Sequence, residues 1–239
     1  MSTAARTGPR RERARAATIA EIKDTARALM RESGTVDVRF SDIARAMEMT
    51  PPALYRYFAD RDDLLSALIA DAFDDLARAV AQARDSVPAD DLPARWVAAA
   101  RGYRGWARRE PQQFALIFGL PLPGYSAPED GPTTEAAQRA MAQLAALFGE
   151  AIRHGILTPP TLRDVDPALE LCAVAKGEDL GGVLPPETFQ AMLHAWNSVH
   201  GFTCLEAYGH YDWMEPAARE AFFLSQVRLA ALNAGLPAP

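Results

Sequence analysis

Three consecutive side chains, Tyr55, Arg56 and Tyr57, put two hydroxyls and a guanidinium within one turn of chain. Such groups donate hydrogen bonds to phosphate oxygens, and small neighbours such as Pro52 and Ala53 let a backbone approach base edges in a groove. A second set, Trp196, His200 and Cys204, falls at i, i+4 and i+8, so one helix face carries an indole N–H, an imidazole and a thiol. If buried, these donors need a partner or a ligand, which makes the face either a pocket wall or ordinary core. His200 and Cys204 supply two metal ligands where a site needs three or four, and His194 and His210 do not converge with them, so no metal is expected. Catalysis has less support still. The carboxylate pairs Asp74–Asp75 and Glu178–Asp179 occupy adjacent helical positions, which diverge by about 100° and share no site. G-x-S-x-G, G-x-x-x-x-G-K and H-E-x-x-H are absent. Neither a catalytic residue nor a cofactor is expected.

The element that must present Tyr55, Arg56 and Tyr57 is the run M-T-P-P-A-L-Y-R-Y-F, Met49 to Phe58. The first four N–H groups of a helix have no internal partner, so proline at the start costs no hydrogen bond. Thr50 then reads as an N-cap, Pro51 as N1 and Pro52 as N2. Leu54 and Phe58, four apart, face inward; Pro52, Ala53 and Arg56 face outward, with Tyr55 and Tyr57 at the flanks. Ser41 reads as the N-cap of a preceding short helix that ends near Met47. Glu48, Met49 and Thr50 join the two, which is helix-turn-helix spacing, and the second helix of that motif enters the major groove. A small hairpin inside any helical bundle would read the same way.

Helical periodicity dominates the rest of the chain, over residues 13–32, 61–83, 92–118, 134–154, 167–180, 187–209 and 216–233. Pro111 divides the fourth run, counting the short pair as one, and 119–133, dense in Pro and Gly, is the one clear loop. No sustained strand alternation occurs, so the fold class is all-α: an N-terminal three-helix helix-turn-helix domain joined to a larger C-terminal helical bundle. Hydrophobic residues make up 49% and charged residues 23%, as in ordinary globular chains. No run approaches the roughly 18 uncharged apolar residues of a membrane span, and the basic start leads into no apolar export signal. A cytoplasmic protein with reduced Cys172 and Cys204 and no membrane partner is expected.

The net charge of −6 conceals an asymmetry. Through Arg61 there are 12 Lys and Arg against 8 Asp and Glu; beyond it, 13 against 23. A basic front on an acidic body suits a polyanion-binding head. The tail with Arg6, Arg10, Arg11 and Arg13 could follow a minor groove; disorder with weak phosphate attraction is the expectation.

The run S-D-I-A-R-A-M-E-M-T-P-P-A-L-Y-R-Y-F-A-D-R-D-D-L-L, Ser41 to Leu65, resembles the DNA-binding domain of TetR-type transcriptional regulators. That family's pattern joins an IA pair, a turn closing in Ser or Thr, an lY-x-hF segment, and a basic residue followed by two acids and a Leu pair. The turn usually contains glycine, absent here, and the basic residue is usually lysine, here Arg61. The resemblance implies that Ser41 and Thr50 cap helices and touch phosphates, that Pro51, Pro52, Ala53 and Arg56 lie along the groove, and that Tyr55, Tyr57 and Arg61 clamp the backbone. Arg39 is a further phosphate contact. The run H-A-W-N-S-V-H-G-F around Trp196 and His200 resembles the W-x-x-x-H-G signature of a C-terminal subfamily, the WHG domain, as does 114–128.

The resemblance implies a division into a basic tail (1–14), a helix-turn-helix domain (15–60) and a ligand-binding and dimerisation domain (61–239). It also implies a homodimer on a palindromic operator in double-stranded DNA, and release of a repressor by a small apolar or aromatic effector. The aromatic residues Trp96, Tyr103, Trp106, Phe114, Phe118 and Trp196, with His200, are the candidate effector contacts. The last two helices carry apolar residues on more than one face, which fits either a buried core or a dimer interface; the resemblance favours the dimer. The alternative is an all-α small-molecule-binding protein or enzyme that does not bind DNA.

Overall fold

The computed structural model describes residues 8–128, 131–177 and 179–237; within them the chain forms ten helices and no strand. Proline stands first or second in every helix except two, so the residues that look like helix breakers are mostly helix starts. Two compact units result, one drawn from Met1–Ala72 and Gln112–Thr133, the other from Phe73–Pro111 and Thr134–Pro239.

The first unit contains α1 (Gly8–Ser33), α2 (Phe40–Ala46), α3 (Pro51–Leu54) and the first half of α4 (Arg61–Asp85), with most of α6 (Pro111–Phe118). Ile22, Ala26 and Met30 of α1 are buried with Ile43 and Ala44 of α2, Leu54 of α3, and Leu64, Leu65 and Leu68 of α4. The helical spacing of the buried residues in α1 and α4 makes one apolar stripe on each of these helices. Asp71 on α4 accepts from Lys23 Nζ at 2.8 Å and from Arg27 Nη1 at 2.9 Å, tying α1 to α4 beside that core. The expected disordered tail is corrected in part. Helix α1 starts at Gly8, because the Ala- and Arg-rich sequence that follows is strongly helix-forming. Arg10, Arg11 and Arg13 therefore ride on a helix; Arg6 lies outside the described residues.

The second unit holds the rest of α4, α5 (Leu92–Arg109), nearly all of α7 (Pro132–Arg153), α8 (Pro167–Ala175), α9 (Pro186–Ala207) and α10 (Pro216–Asn233). Asp91 and Asp166 cap α5 and α8 by accepting from Ala94 N–H and Ala168 N–H. Trp96 and Ala100 of α5 are buried, as are Met192, Ala195 and Phe202 of α9 and Phe223, Val227 and Ala231 of α10. Helices α4 and α5 pack closely: a Cβ on Gly102 would sit 2.7 Å from Ala83 Cβ. The helix expected over 167–180 stops at Ala175. Gly177 packs so tightly that a Cβ there would meet Val183 Cγ2 at 2.4 Å, and Gly181 and Gly182 adopt positive φ, which turns the chain back toward α9.

Candidate nucleic-acid interface

Helices α2 and α3 are joined without glycine. The N–H of Met49 donates to the Ala44 carbonyl at 2.8 Å and that of Glu48 to the Arg45 carbonyl at 3.2 Å. This is the paired closure of a Schellman end, which requires a left-handed residue between them. Glu48 takes that role at φ 53°, the only non-glycine residue with positive φ among those described. Thr50 follows as N-cap with extended backbone, and Pro51 and Pro52 occupy N1 and N2 as the sequence predicts. The Thr50 side chain makes no capping hydrogen bond.

Helix α3 is a single turn. Beyond Leu54 the winding continues through Tyr57 N–H and Phe58 N–H, both donated to the Leu54 carbonyl at 2.8 and 3.1 Å. Leu54 and Phe58 are buried, at 1% and 5% exposure, and anchor the segment to the unit's core. Pro51, Pro52, Tyr55 and Arg56 are exposed; Ala53 and Tyr57 are half-buried. The Tyr55 ring lies 5.1 Å from that of Phe40 and remains 56% exposed. The outward face is thus a short, braced ridge carrying a phenol and a guanidinium.

Three flanking residues complete the setting of the ridge. Ser41 does not cap α2. Phe40 is already helical, half-buried against Tyr55, which moves the N-cap back to Arg39 and leaves Ser41 exposed in the first turn. Arg39 is likewise exposed, with extended backbone and no side-chain cap bond. Arg61 opens α4 and pairs with Asp37 at 2.9 Å, so any phosphate it holds must replace that carboxylate. The acids beside Arg61 have a structural task not read from the sequence. Asp60 accepts from Asp63 N–H at 2.8 Å, and Asp63 reaches back to accept from Ala59 N–H at 2.9 Å. This approximates a capping box and fixes the start of α4. The D-x-x-D spacing ahead of Leu64 was its available signal.

The candidate effector residues divide between the units. Phe114 and Phe118 belong to the first, with ring centroids 5.3 Å apart. In the second, Trp96, Tyr103 and Trp106 are buried on α5. Trp96 donates its indole N–H to the Val227 carbonyl at 2.8 Å, a core hydrogen bond. Tyr103 meets α9: its hydroxyl lies 2.6 Å from His200 Nδ1, and the His200 ring stacks on Trp196 at 4.6 Å and 8°. Cys204 Sγ is 3.2 Å from His200 Nε2. A neutral imidazole serves both neighbours, donating through one nitrogen and accepting through the other. Burial holds His200 below its ordinary pKa and pushes the Cys204 thiol up, so both favour their uncharged forms. Next to this cluster is a buried ion pair. Arg104 Nε and Nη2 donate to the two carboxylate oxygens of Glu206 at 2.6 Å each, and its guanidinium lies 4.5 Å from the Phe223 ring centroid.

Asp74 and Asp75 each have their own arginine, Arg139 and Arg78, and Asp179 pairs with Lys176; Glu178 lies outside the described residues. Among the described residues no trio of His, Cys, Asp or Glu could hold a metal ion, and no helix is long and apolar enough to cross a membrane.

The pieces have counterparts in known proteins. Residues 22–68 match the model of bacterial regulatory proteins of the tetR family, and 96–230, more than half the chain, match the tetracyclin repressor-like C-terminal domain. The chain belongs to the TetR family. Helices α2 and α3 lie within the 22–68 match, at the spacing of a helix-turn-helix. The TetR-family chain is 39% identical over 158 residues to the HTH-type transcriptional regulators Mb1846 of Mycobacterium bovis and Rv1816 of Mycobacterium tuberculosis. The match covers 66% of this chain and 65% of each relative, so it spans just under two thirds of their length. Among solved structures, SCO4313, provisionally described as a regulatory protein, is 30% identical with a TM-score of 0.71, over 92% of this chain and 97% of that one. RolR, solved in complex with resorcinol, is 16% identical with a TM-score of 0.54, over 95% and 97% of the two chains, and speaks to the fold alone.

Proposed function

We propose that this TetR-family protein acts in the cytoplasm as a repressor, binding a palindromic operator as a homodimer and leaving it when a small apolar or aromatic effector binds. The observation that carries the DNA contacts is the braced ridge on α3: Leu54 and Phe58 face inward while Pro51, Pro52, Tyr55 and Arg56 stay exposed. Pro51, Pro52, Ala53 and Arg56 lie along the major groove in this reading. Tyr55, Tyr57, Arg61, Arg39, Ser41 and Thr50 hold the flanking phosphates. Residues 15–60 carry DNA binding; 61–239 carry effector binding and dimerisation.

The dimer forms through the outward faces of α9 and α10, where Leu205, Tyr208, Leu229 and Leu232 are each 41–50% exposed. A two-fold pair sets two recognition segments about 34 Å apart, one turn of DNA. The effector meets the Tyr103, Trp196 and His200 face of the second unit, and favours a conformation whose recognition segments no longer match the half-site spacing. Helix α4 starts directly after the recognition segment and supplies residues to both units, which makes it the connecting lever.

Capture of genomic fragments by the purified protein tests the reading. It expects enrichment of a palindrome, binding that weakens steeply with salt at a slope of about −0.9 per phosphate contact, and the mass of a dimer. Retention of no fragment at low salt, or a monomer that binds a single half-site, would refute it.

A further inference from the structure

The family match to the DNA-binding domain begins at residue 22, whereas α1 begins at Gly8. Residues 8–21 therefore add a helical extension that the match does not cover. One of its side chains reaches the recognition segment. Arg15 Nη1 donates to the Arg56 backbone carbonyl at 2.7 Å, and the Arg15 guanidinium lies 5.4 Å from the centroid of the Tyr57 ring.

From this geometry we infer that Arg15 is a positioning residue for DNA recognition, acting through the Arg56 backbone and the Tyr57 ring rather than through a phosphate. The inference rests on the DNA-binding reading above. Helix α3 closes after one turn, so the segment that carries Tyr55, Arg56 and Tyr57 lacks the hydrogen-bond ladder of a longer helix. Carbonyls at a helix end need outside donors, and the Arg56 carbonyl receives a charge-assisted one from Arg15. On the opposite flank, Tyr55 packs on Phe40. Arg56 is thus held from both sides, by α1 through Tyr57 and its own carbonyl and by α2 through Tyr55. In this role the guanidinium is engaged on a carbonyl and a ring face and neutralises no phosphate, so its removal should leave the salt slope of DNA binding unchanged.

The test compares full-length wild type, Arg15→Ala and Arg15→Lys on two readouts. One is affinity across a salt series for a duplex captured by the wild type; the other is amide exchange of residues 55–58 in the protein without DNA. The expected result for Arg15→Ala is binding weaker by about tenfold with the salt slope and melting temperature unchanged. Exchange of the Tyr57 and Phe58 amides should rise roughly tenfold while α1 and α4 keep their protection. Arg15→Lys should recover part of both, since an ammonium can donate to the carbonyl without the planar fork. A salt slope reduced by about 0.9 with unchanged exchange would make Arg15 a phosphate contact and overturn the inference. So would unchanged binding and exchange, or a loss of protection spread over the whole unit. If the wild type retains no duplex, the DNA reading itself fails, while the exchange comparison still decides whether Arg15 positions the segment.

Discussion

Glu206→Ala should destabilise the second unit by about 3–5 kcal/mol, the cost of removing the bidentate partner of a buried charge. The wild-type pair is bidentate, at 2.6 Å for both contacts, and each side chain is 6% exposed. Removing the Glu206 carboxylate leaves the guanidinium with Glu220, which is itself 42% exposed and also serves Arg101. Against a typical domain stability of about 5–15 kcal/mol, the loss is severe, and it corresponds to a melting temperature lower by roughly 6–20 °C. All four tryptophans lie in this unit, so urea unfolding followed by their fluorescence reads it directly. The paired replacement Arg104→Leu with Glu206→Leu removes both desolvated charges and should return to within about 2 kcal/mol of wild type, because apolar side chains of similar bulk replace such pairs at little cost. A single variant that loses less than about 1 kcal/mol would mean the pair is solvated. A double variant as unstable as the single would mean that the cost is lost packing against Phe202 and Phe223 and not charge burial.

Glu48→Gly should stabilise the first unit by up to about 1 kcal/mol, since relief of the left-handed backbone, worth about 1–2 kcal/mol, exceeds the added unfolded-state entropy of glycine; circular dichroism in urea checks it, and a loss would mean Glu48 makes contacts that outweigh its backbone. Tyr55→Phe should weaken operator binding about two- to tenfold, one hydrogen bond to phosphate, at unchanged melting temperature; equal loss of both would make the hydroxyl structural. Stability of the second unit should fall as the pH drops below about 6.5, because burial lowers the His200 pKa and the unfolded chain takes up its proton first. It should fall further below about 4.3: burial raises the Glu220 pKa, but hydrogen bonds from Arg104 and Arg101 outweigh that and hold it low, so its contribution is present above the ordinary carboxylate value and lost beneath it. Urea midpoints that stay flat from pH 7 to about 5 would refute the His200 assignment, and midpoints that fall no further below about 4.3 would refute that of Glu220.

Local features of this fold were legible because they are written in neighbouring residues. The spacing of Leu64, Leu65 and Leu68 specifies one face of α4, and Thr50-Pro51-Pro52 specifies a helix start. The misreadings came where a more distant contact decided the outcome. Ser41 has the better capping side chain, but Phe40, which packs on Tyr55, is already helical, and the helix starts earlier, with Arg39 as N-cap. The turn lacks glycine, yet Glu48 accepts the left-handed backbone because the closure onto Ala44 and Arg45 and the buried residues on either side demand it. Helix α8 stops at Ala175, and Gly177 beyond it has no room for a Cβ beside Val183, a closeness that the pattern of α8 itself does not contain. Pairings across many residues were not legible at all. Arg104 and Glu206 are 102 positions apart, and Trp96 and Val227 are 131 apart, and no periodicity links either pair.

The brevity of α3 changes where specificity and rigidity come from. A recognition helix of several turns orients its outward side chains through its own hydrogen bonds, whereas one of four residues cannot. Here the same job falls to side chains outside the helix: Leu54 and Phe58 hold it to the core, and Phe40 braces Tyr55. Substitutions at these positions should therefore change DNA affinity without touching DNA, and the size of the change should track local amide exchange of 55–58 rather than the charge removed. Phe40→Ala is the informative case, since it carries no charge and cannot alter the salt slope. If it weakens operator binding while the amides of 55–58 stay as protected as in the wild type, bracing is not what makes the short ridge competent, and the outward side chains must be ordered by the DNA itself.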